Sequence, residues 1–246
     1  QALECTSLGA KELVLIGINI GLYKDKDQTL IDVLKQLADI PELVRIRISS
    51  IELPHVTREL IELIARNAKL CHHLHIPLQS GSDSILQAMG RPYTTEEFLR
   101  TAQLAKELMP DIALTTDVIV GFPGETEDDF NKTVQFIKKV GFSLLHVFKY
   151  SALPGTKAAA LAQQVETSIV SSRSDQLIAL GKLLEKEFAT KLLNRPINVL
   201  FENVSANKAY GFTSNYVKIY AQGNHTLGEY CTITPTKLDT DNTLSA

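Results

Sequence analysis

The sequence predicts an α/β fold, a parallel sheet of strand–helix units followed by a small all-β module. Three observations carry this. Five short apolar runs each stop in glycine or polar residues. Helical patterns separate them. After Arg195-Pro196 the texture changes to short, closely spaced strands. Alternating strands and helices imply right-handed crossovers and hence a parallel sheet. Such folds place their chemistry beyond the carboxyl ends of the strands. Five strands do not close an eight-stranded barrel, so the sheet is either open or a partial (β/α) barrel lacking a strand before Gln1.

The first strand is read at Lys11–Gly17, a nearly continuous apolar run that suits burial on both faces. It ends in Gly17-Ile18-Asn19. Thr29 opens a helix with Leu30, Val33, Leu34 and Leu37 at helical spacing, stopped by Pro41. The second strand, 44–48, ends in Ser49-Ser50-Ile51-Glu52, and Thr57 caps the next helix. The third ends in Gln79-Ser80-Gly81-Ser82-Asp83, where Ser82 or Asp83 is placed to cap a helix. Thr94 and Glu97 form a capping box for a helix reaching about Leu108. The fourth strand, 112–120, ends in Gly121-Phe122-Pro123-Gly124-Glu125. Thr126 and Asp129 cap the following helix, which Gly141 stops. The fifth, 144–148, ends in Lys149-Tyr150-Ser151. One long helix is expected from about Glu166 to Leu193, and four β segments after it suggest a small barrel.

Composition narrows the function classes. A net charge of −3 gives no global reason for nucleic-acid binding, so any such site is a local patch. The three cysteines, Cys5, Cys71 and Cys231, are too far apart for a local metal motif or a disulfide framework. No signal peptide or membrane-length apolar run is seen, so a cytoplasmic protein is expected. Gln1 to Leu8 reads as a helix already under way, and a fragment is expected. Tyr210, Phe212, Tyr216 and Tyr220 have two open readings, a stacking face for bases or the packing of a small barrel.

Several stretches together carry a resemblance. Gly17-Ile18-Asn19, Arg47-Ile48-Ser49-Ser50, Leu74 through Asp83, Thr116 through Glu125, and Tyr150-Ser151 with Pro154-Gly155-Thr156 resemble the methylthiotransferase family of radical S-adenosylmethionine enzymes. The last segment resembles that family's TRAM domain, a small RNA-binding barrel. Gln-Ser-Gly-Ser-Asp resembles the tRNA-modifying branches. Gly17 through Tyr23 leans towards the branch acting on N6-threonylcarbamoyladenosine beside the anticodon, with the isopentenyladenosine branch as competitor.

The resemblance implies S-adenosylmethionine as cofactor and a [4Fe-4S] cluster on a Cys-x-x-x-Cys-x-x-Cys loop. It implies a radical that removes hydrogen from C2 of adenine, and insertion there of a methylthio group. The partners implied are tRNA and an electron donor of the flavodoxin or ferredoxin type, with no membrane. This chain lacks the three-cysteine loop and the family's N-terminal domain, so no metal ligand is assigned and the fragment alone is expected to be inactive. The expected division is a radical-SAM partial barrel over 1–164, a covering helix over 165–194 and a TRAM-like barrel over 195–246. Two competing readings are a non-catalytic RNA-binding relative and an unrelated barrel lyase.

On that resemblance, Gly17, Asn19, Ser49, Ser50 and Glu52 lie towards the ammonium and sulfonium of the cofactor, and Gln79 and Ser80 towards its ribose. Asp117, a carboxylate in an apolar strand, needs a partner; ribose and Arg47 are the candidates. Gly121, Phe122 and Gly124 let backbone approach adenine. Tyr150 closes the pocket or touches the target base, as the one residue placed in catalysis. Arg91 and Lys149, with Tyr210, Phe212 and Lys218, are the RNA contacts. His75 points into the barrel, where a core histidine and a catalytic base both stay open.

Overall fold

The computed structural model describes residues 1–246. After a short helix α1 (Ala2–Ser7) come five parallel strands: β1 (Glu12–Leu15), β2 (Arg45–Ile48), β3 (His73–His75), β4 (Ala113–Val120) and β5 (Leu144–Lys149). Ladders join β1 to β2, and β3 to β4 to β5. Bridges at Ile46–Leu70 and Ser50–His75 link the two sets, so strand order follows chain order. The crossovers hold α2 (Leu30–Ala38), α3 (Arg58–Arg66), α4 (Asp83–Ala88), α5 (Thr95–Leu108) and α6 (Glu127–Val140). A long helix, α7 (Thr167–Thr190), then packs back on β5, with Gly181 close against Leu145. No helix is long and apolar enough to cross a membrane.

Local chemistry sets most helix starts. Capping boxes form at Thr29 with Asp32, Thr94 with Glu97 and Thr126 with Asp129. Thr57 Oγ1 accepts from Leu60 N at 3.2 Å. Gly141 ends α6 in the left-handed conformation, φ +65°. The turn after β3 departs from expectation. Ser82 stands at the N-cap of α4, but its hydroxyl donates to Asp129 Oδ1 at 2.6 Å, and Asp83 accepts from Thr95 N at 2.7 Å. The Asp129 carboxylate is a stronger acceptor for the hydroxyl than any local group, so the turn is tied to α6 and α5 instead of capping its own helix. The first strand departs too. It is an edge, paired only with β2, and Val14 is 50% exposed.

Asp129 gathers this corner. Burial pushes its carboxyl up, and hydrogen bonds from Ser82, Thr126 and Ser84 more than reverse that, holding it well below the ordinary carboxylate range. A depressed carboxyl contributes stability that is present above its unfolded value and lost as pH falls through the folded one. Asp129→Asn is therefore expected to cost roughly 1.5–3 kcal/mol near neutral pH. The difference from the parent chain should shrink below about pH 4, as read by urea denaturation across that range.

The C-terminal module is one six-stranded sheet, two strands more than expected. Its strands are β6 (Ile197–Ser205), β7 (Lys208–Thr213), β8 (Lys218–Gln222), β9 (Tyr230–Ile233), β10 (Lys237–Leu238) and β11 (Leu244–Ser245), in the order β9-β6-β7-β8-β11-β10. Its core includes Val199, Phe201, Ile219 and Leu244, joined by Ala189 and Leu192 from the end of α7.

The module docks on the barrel through buried arginines. Arg45 and Arg47 both pair with Glu12. Arg45 donates to Phe212 O at 2.5 Å, and Arg47 to Ser214 O at 3.1 Å. Asn215 Nδ2 donates to Asp111 O at 3.2 Å, and Ser214 Oγ accepts from His72 N at 3.1 Å. These contacts sit at the amino ends of β2, β3 and β4. The carboxyl ends face the other way.

Candidate active site at the carboxyl ends of the strands

Backbone pairing joins the strand ends into one row. Ser49 N donates to Leu15 O at 3.0 Å, and Ile51 N to His75 O at 3.0 Å. Gln79 N donates to Asp117 O at 2.8 Å, and Ile119 N to Gln79 O at 2.9 Å. Tyr150 N reaches Val120 O at 2.9 Å. Gly17 and Asn19 directly follow β1. The row expected from the sequence, from Asn19 through Ser49, Ser50, Gln79 and Asp117 to Tyr150, is thus brought together along one edge of the sheet.

Three groups in this row carry an unspent hydrogen-bonding capacity. Asn19 Oδ1, Gln79 Oε1 and Tyr150 OH are buried and find no partner within the chain. Buried polar atoms are paired in the great majority of cases, so three orphans on the same edge of the sheet, after β1, β3 and β5, leave capacity there for a polar ligand. Gln79 also holds a left-handed backbone, φ +68°. For a residue other than glycine that conformation costs on the order of 1–3 kcal/mol and concentrates at functional sites. The donors and acceptors present here fit the amino-acid and ribose portions of S-adenosylmethionine.

Other expected residues are committed elsewhere. Ser80 is fully buried and faces α6, its Oγ 3.3 Å from Thr133 Oγ1. Its hydroxyl is therefore engaged within the fold, beside Thr133 Oγ1 and the Ser82 N–H. Gly121 has φ +78°, and a Cβ there would run into the Val170 side chain of α7. Gly124 N donates to Gln163 O at 2.8 Å. These two glycines let the returning chain pack closely here. Phe122 is buried with its ring edge-on to Tyr150 at 5.4 Å. Glu52 accepts from Arg91 at 3.1 Å through both oxygens, so each satisfies the other and neither is a free charge. Arg47 is not the partner of Asp117, because Glu12 takes it. Asp117 instead has His75 Nε2 at 3.3 Å.

Sequence reasoning missed two features. Glu125 is buried, accepts from Gly121 N at 2.7 Å, and pairs with Arg173 of α7 at 2.8 Å. Nothing local in the sequence announces a partner 48 residues away. The second is the company that His75, expected in the barrel, keeps there. Thr115 Oγ1 lies 3.1 Å from His73 Nε2 and 2.9 Å from His75 Nδ1. Burial, reinforced by Arg47, lowers the His73 imidazole to about 3, so it stays neutral. The alternation of His73, Leu74 and His75 was the available signal.

The expected RNA contacts divide. Phe212 stacks on Tyr216 at 5.0 Å, and the Tyr216 ring covers Arg47 at 4.6 Å. That pair packs the junction between module and barrel and is not a free base platform. Tyr210 and Tyr220 pair across β7 and β8 at 5.9 Å, with Lys218 5.6 Å over Tyr210 and Lys208 5.8 Å over Tyr220. Lys149 is exposed, its Nζ donating to Ser171 Oγ at 3.1 Å.

The cysteines do not fit a cluster. Cys5 lies in α1, Cys71 is buried just before β3, and Cys231 is in β9 of the module. Burial pushes the Cys71 thiol up, away from the thiolate form. The ligands of a [4Fe-4S] cluster are not among these residues.

The chain is similar to known proteins in sequence and in fold. The chain is 43% identical over 231 residues to the threonylcarbamoyladenosine tRNA methylthiotransferase MtaB of Bacillus subtilis, covering 91% of this chain and 51% of that protein. It is 36% identical to the protein of the same name from Thermotoga maritima, covering 98% and 56%. It is 38% identical to the tRNA-2-methylthio-N(6)-dimethylallyladenosine synthase of Aliarcobacter butzleri, covering 92% and 54%. The chain therefore spans about half the length of the curated relatives it matches. In structure it resembles coproporphyrinogen III oxidase (HemN) from Escherichia coli, described as a radical SAM enzyme. The TM-score there is 0.57 at 15% identity, covering 88% of this chain and 57% of that one. That likeness supports the fold. The model of the radical SAM superfamily matches residues 1–137, more than half of the chain, and the chain belongs to that superfamily.

Proposed function

We propose that this chain is the S-adenosylmethionine-binding and RNA-binding part of a tRNA methylthiotransferase acting on C2 of N6-threonylcarbamoyladenosine. The observation that carries the reading is the set of unpartnered polar atoms on Asn19, Gln79 and Tyr150, after the first, third and fifth strands on the carboxyl edge of the sheet. When bound, S-adenosylmethionine together with a [4Fe-4S] cluster would supply the radical chemistry. This chain's own residues bind and orient. Asn19 Oδ1 and the Ser49 and Ser50 hydroxyls accept from the ammonium, with Gly17 in the loop that carries Asn19. Gln79 Oε1 accepts from a ribose hydroxyl, and its strained backbone pre-sets that geometry. Tyr150, braced by Phe122, covers the reacting carbon from water. Tyr210, Tyr220, Lys208 and Lys218 form an aromatic and basic platform suited to stacked bases and phosphates, and Lys149 adds a phosphate contact beside the site. The electron donor is of the flavodoxin or ferredoxin type.

Two relatives named for threonylcarbamoyladenosine support that base. A relative named for dimethylallyladenosine, at 38% identity, supports the second reading. Mass spectrometry of tRNA nucleosides from a strain lacking the gene separates them. Loss of the methylthio form of threonylcarbamoyladenosine, restored by the parent gene and reduced about 10-fold or more with Gln79→Ala, is the expected result. Loss of the methylthio isopentenyl nucleoside would move the assignment to the second base. No change in either nucleoside would refute the function.

A further inference from the structure

We propose that His75, Asp117 and His146 form a mononuclear site for a first-row divalent cation, zinc or iron(II) in character, in the lumen of the barrel. Their donor atoms all lie within 4.8 Å of one another. They come from three neighbouring strands, and the register places His146 directly opposite Asp117 and Thr115 directly opposite His75. Side chains two apart on a strand share a face, so all three project into the lumen. His75 Nε2 and Asp117 Oδ1 are 3.3 Å apart. That separation matches the edge between two ligands of a tetrahedral ion with bonds of about 2.0–2.1 Å. The other ring nitrogen of His75 is engaged by Thr115 Oγ1 at 2.9 Å, the outer contact that orients a ligating imidazole.

Asp117 supplies the second line of argument. Its carboxylate is only a quarter exposed, accepts no side-chain or backbone hydrogen bond, and has no lysine or arginine within 4.0 Å. With His75 Nε2 as its near side-chain neighbour and no fixed positive charge beside it, this carboxylate is free to ligate a cation. Two imidazoles and one carboxylate on one face are a ligand set that leaves further positions open. His146 is exposed, so an ion can reach the group from solvent. The inference concerns a metal ion alone and does not rest on S-adenosylmethionine binding.

The test is a cobalt(II) titration of the metal-free chain, followed by its visible d–d absorption. It is run in a His225→Ala background, which removes the other such group, His225, Glu229 and Cys231. The expected result is a spectrum that saturates at one equivalent and is displaced by zinc. Asp117→Asn and His146→Ala should each weaken binding by more than about 10-fold. His146 is on the surface of the lumen, so its variant keeps the fold, as circular dichroism would verify. No d–d absorption at one equivalent, or binding in both variants equal to the parent, overturns the proposal.

Discussion

Arg173→Ala is expected to destabilise the protein by about 3–5 kcal/mol, the usual cost of stranding one partner of a buried ion pair. The Arg173 and Glu125 side chains are 5% and 1% exposed. Arg173 also donates to the Glu125 carbonyl at 3.1 Å, so the substitution removes a charge and a backbone contact together. The effect depends on pH with a definite sign. Burial pushes the Glu125 carboxyl up, while the Gly121 N–H and Arg173 pull it back. A carboxyl raised in the fold contributes most below its unfolded value, and that contribution is lost as pH rises through the folded one. Without Arg173 the carboxyl rises further. The cost is therefore largest at neutral pH and shrinks towards about pH 4, where Glu125 is protonated in both states. Urea denaturation midpoints across this range measure it. The double variant Glu125→Gln with Arg173→Met should recover much of the loss, because no lone charge is then buried. A cost independent of pH would show that packing, not the ion pair, joins α7 to the loop after β4.

Glu12→Ala should have a comparable effect at the other end of the barrel. Glu12 stands between Arg45 and Arg47, whose side chains are 1% and 5% exposed. Removing it leaves two buried guanidinium groups facing each other, at a cost of about 3–5 kcal/mol. Both arginines also hold the module through the carbonyls of Phe212 and Ser214. The expected outcome is therefore separation of the two units, seen as two thermal transitions in place of one. Faster protease cleavage after α7, near Arg195-Pro196, should accompany it. Glu202, 3.7 Å from Arg45 and half exposed, softens the loss but does not replace Glu12, since it has no contact within 4.0 Å of Arg47. A single transition at the parent temperature would show that the module is held by its apolar contacts alone.

Where the governing interaction is local, the sequence was sufficient. The capping pairs Thr94 with Glu97 and Thr126 with Asp129 lie three residues apart, and both helices begin where those pairs stand. Gly141 needed only its own backbone freedom to end α6. Short apolar runs that stop in glycine or polar residues placed all five barrel strands, because buried parallel strands read as nearly continuous apolar stretches.

Where the partner is distant, local patterning was silent. Glu52 reads from sequence as a partner for the cofactor's positive charge, whereas in the fold Arg91, 39 residues on, holds it. Ser82 read as a cap until Asp129, 47 residues on, took its hydroxyl. Ser80 sits beside Gln79 in sequence yet faces the opposite way, because one left-handed residue reverses the chain. Sequence alone thus determined the five barrel strands, the helices between them and their order. Only the tertiary structure decided which polar groups at the strand ends are spent on the fold and which stay available. That division depends on contacts between residues tens of positions apart, and no local periodicity encodes them.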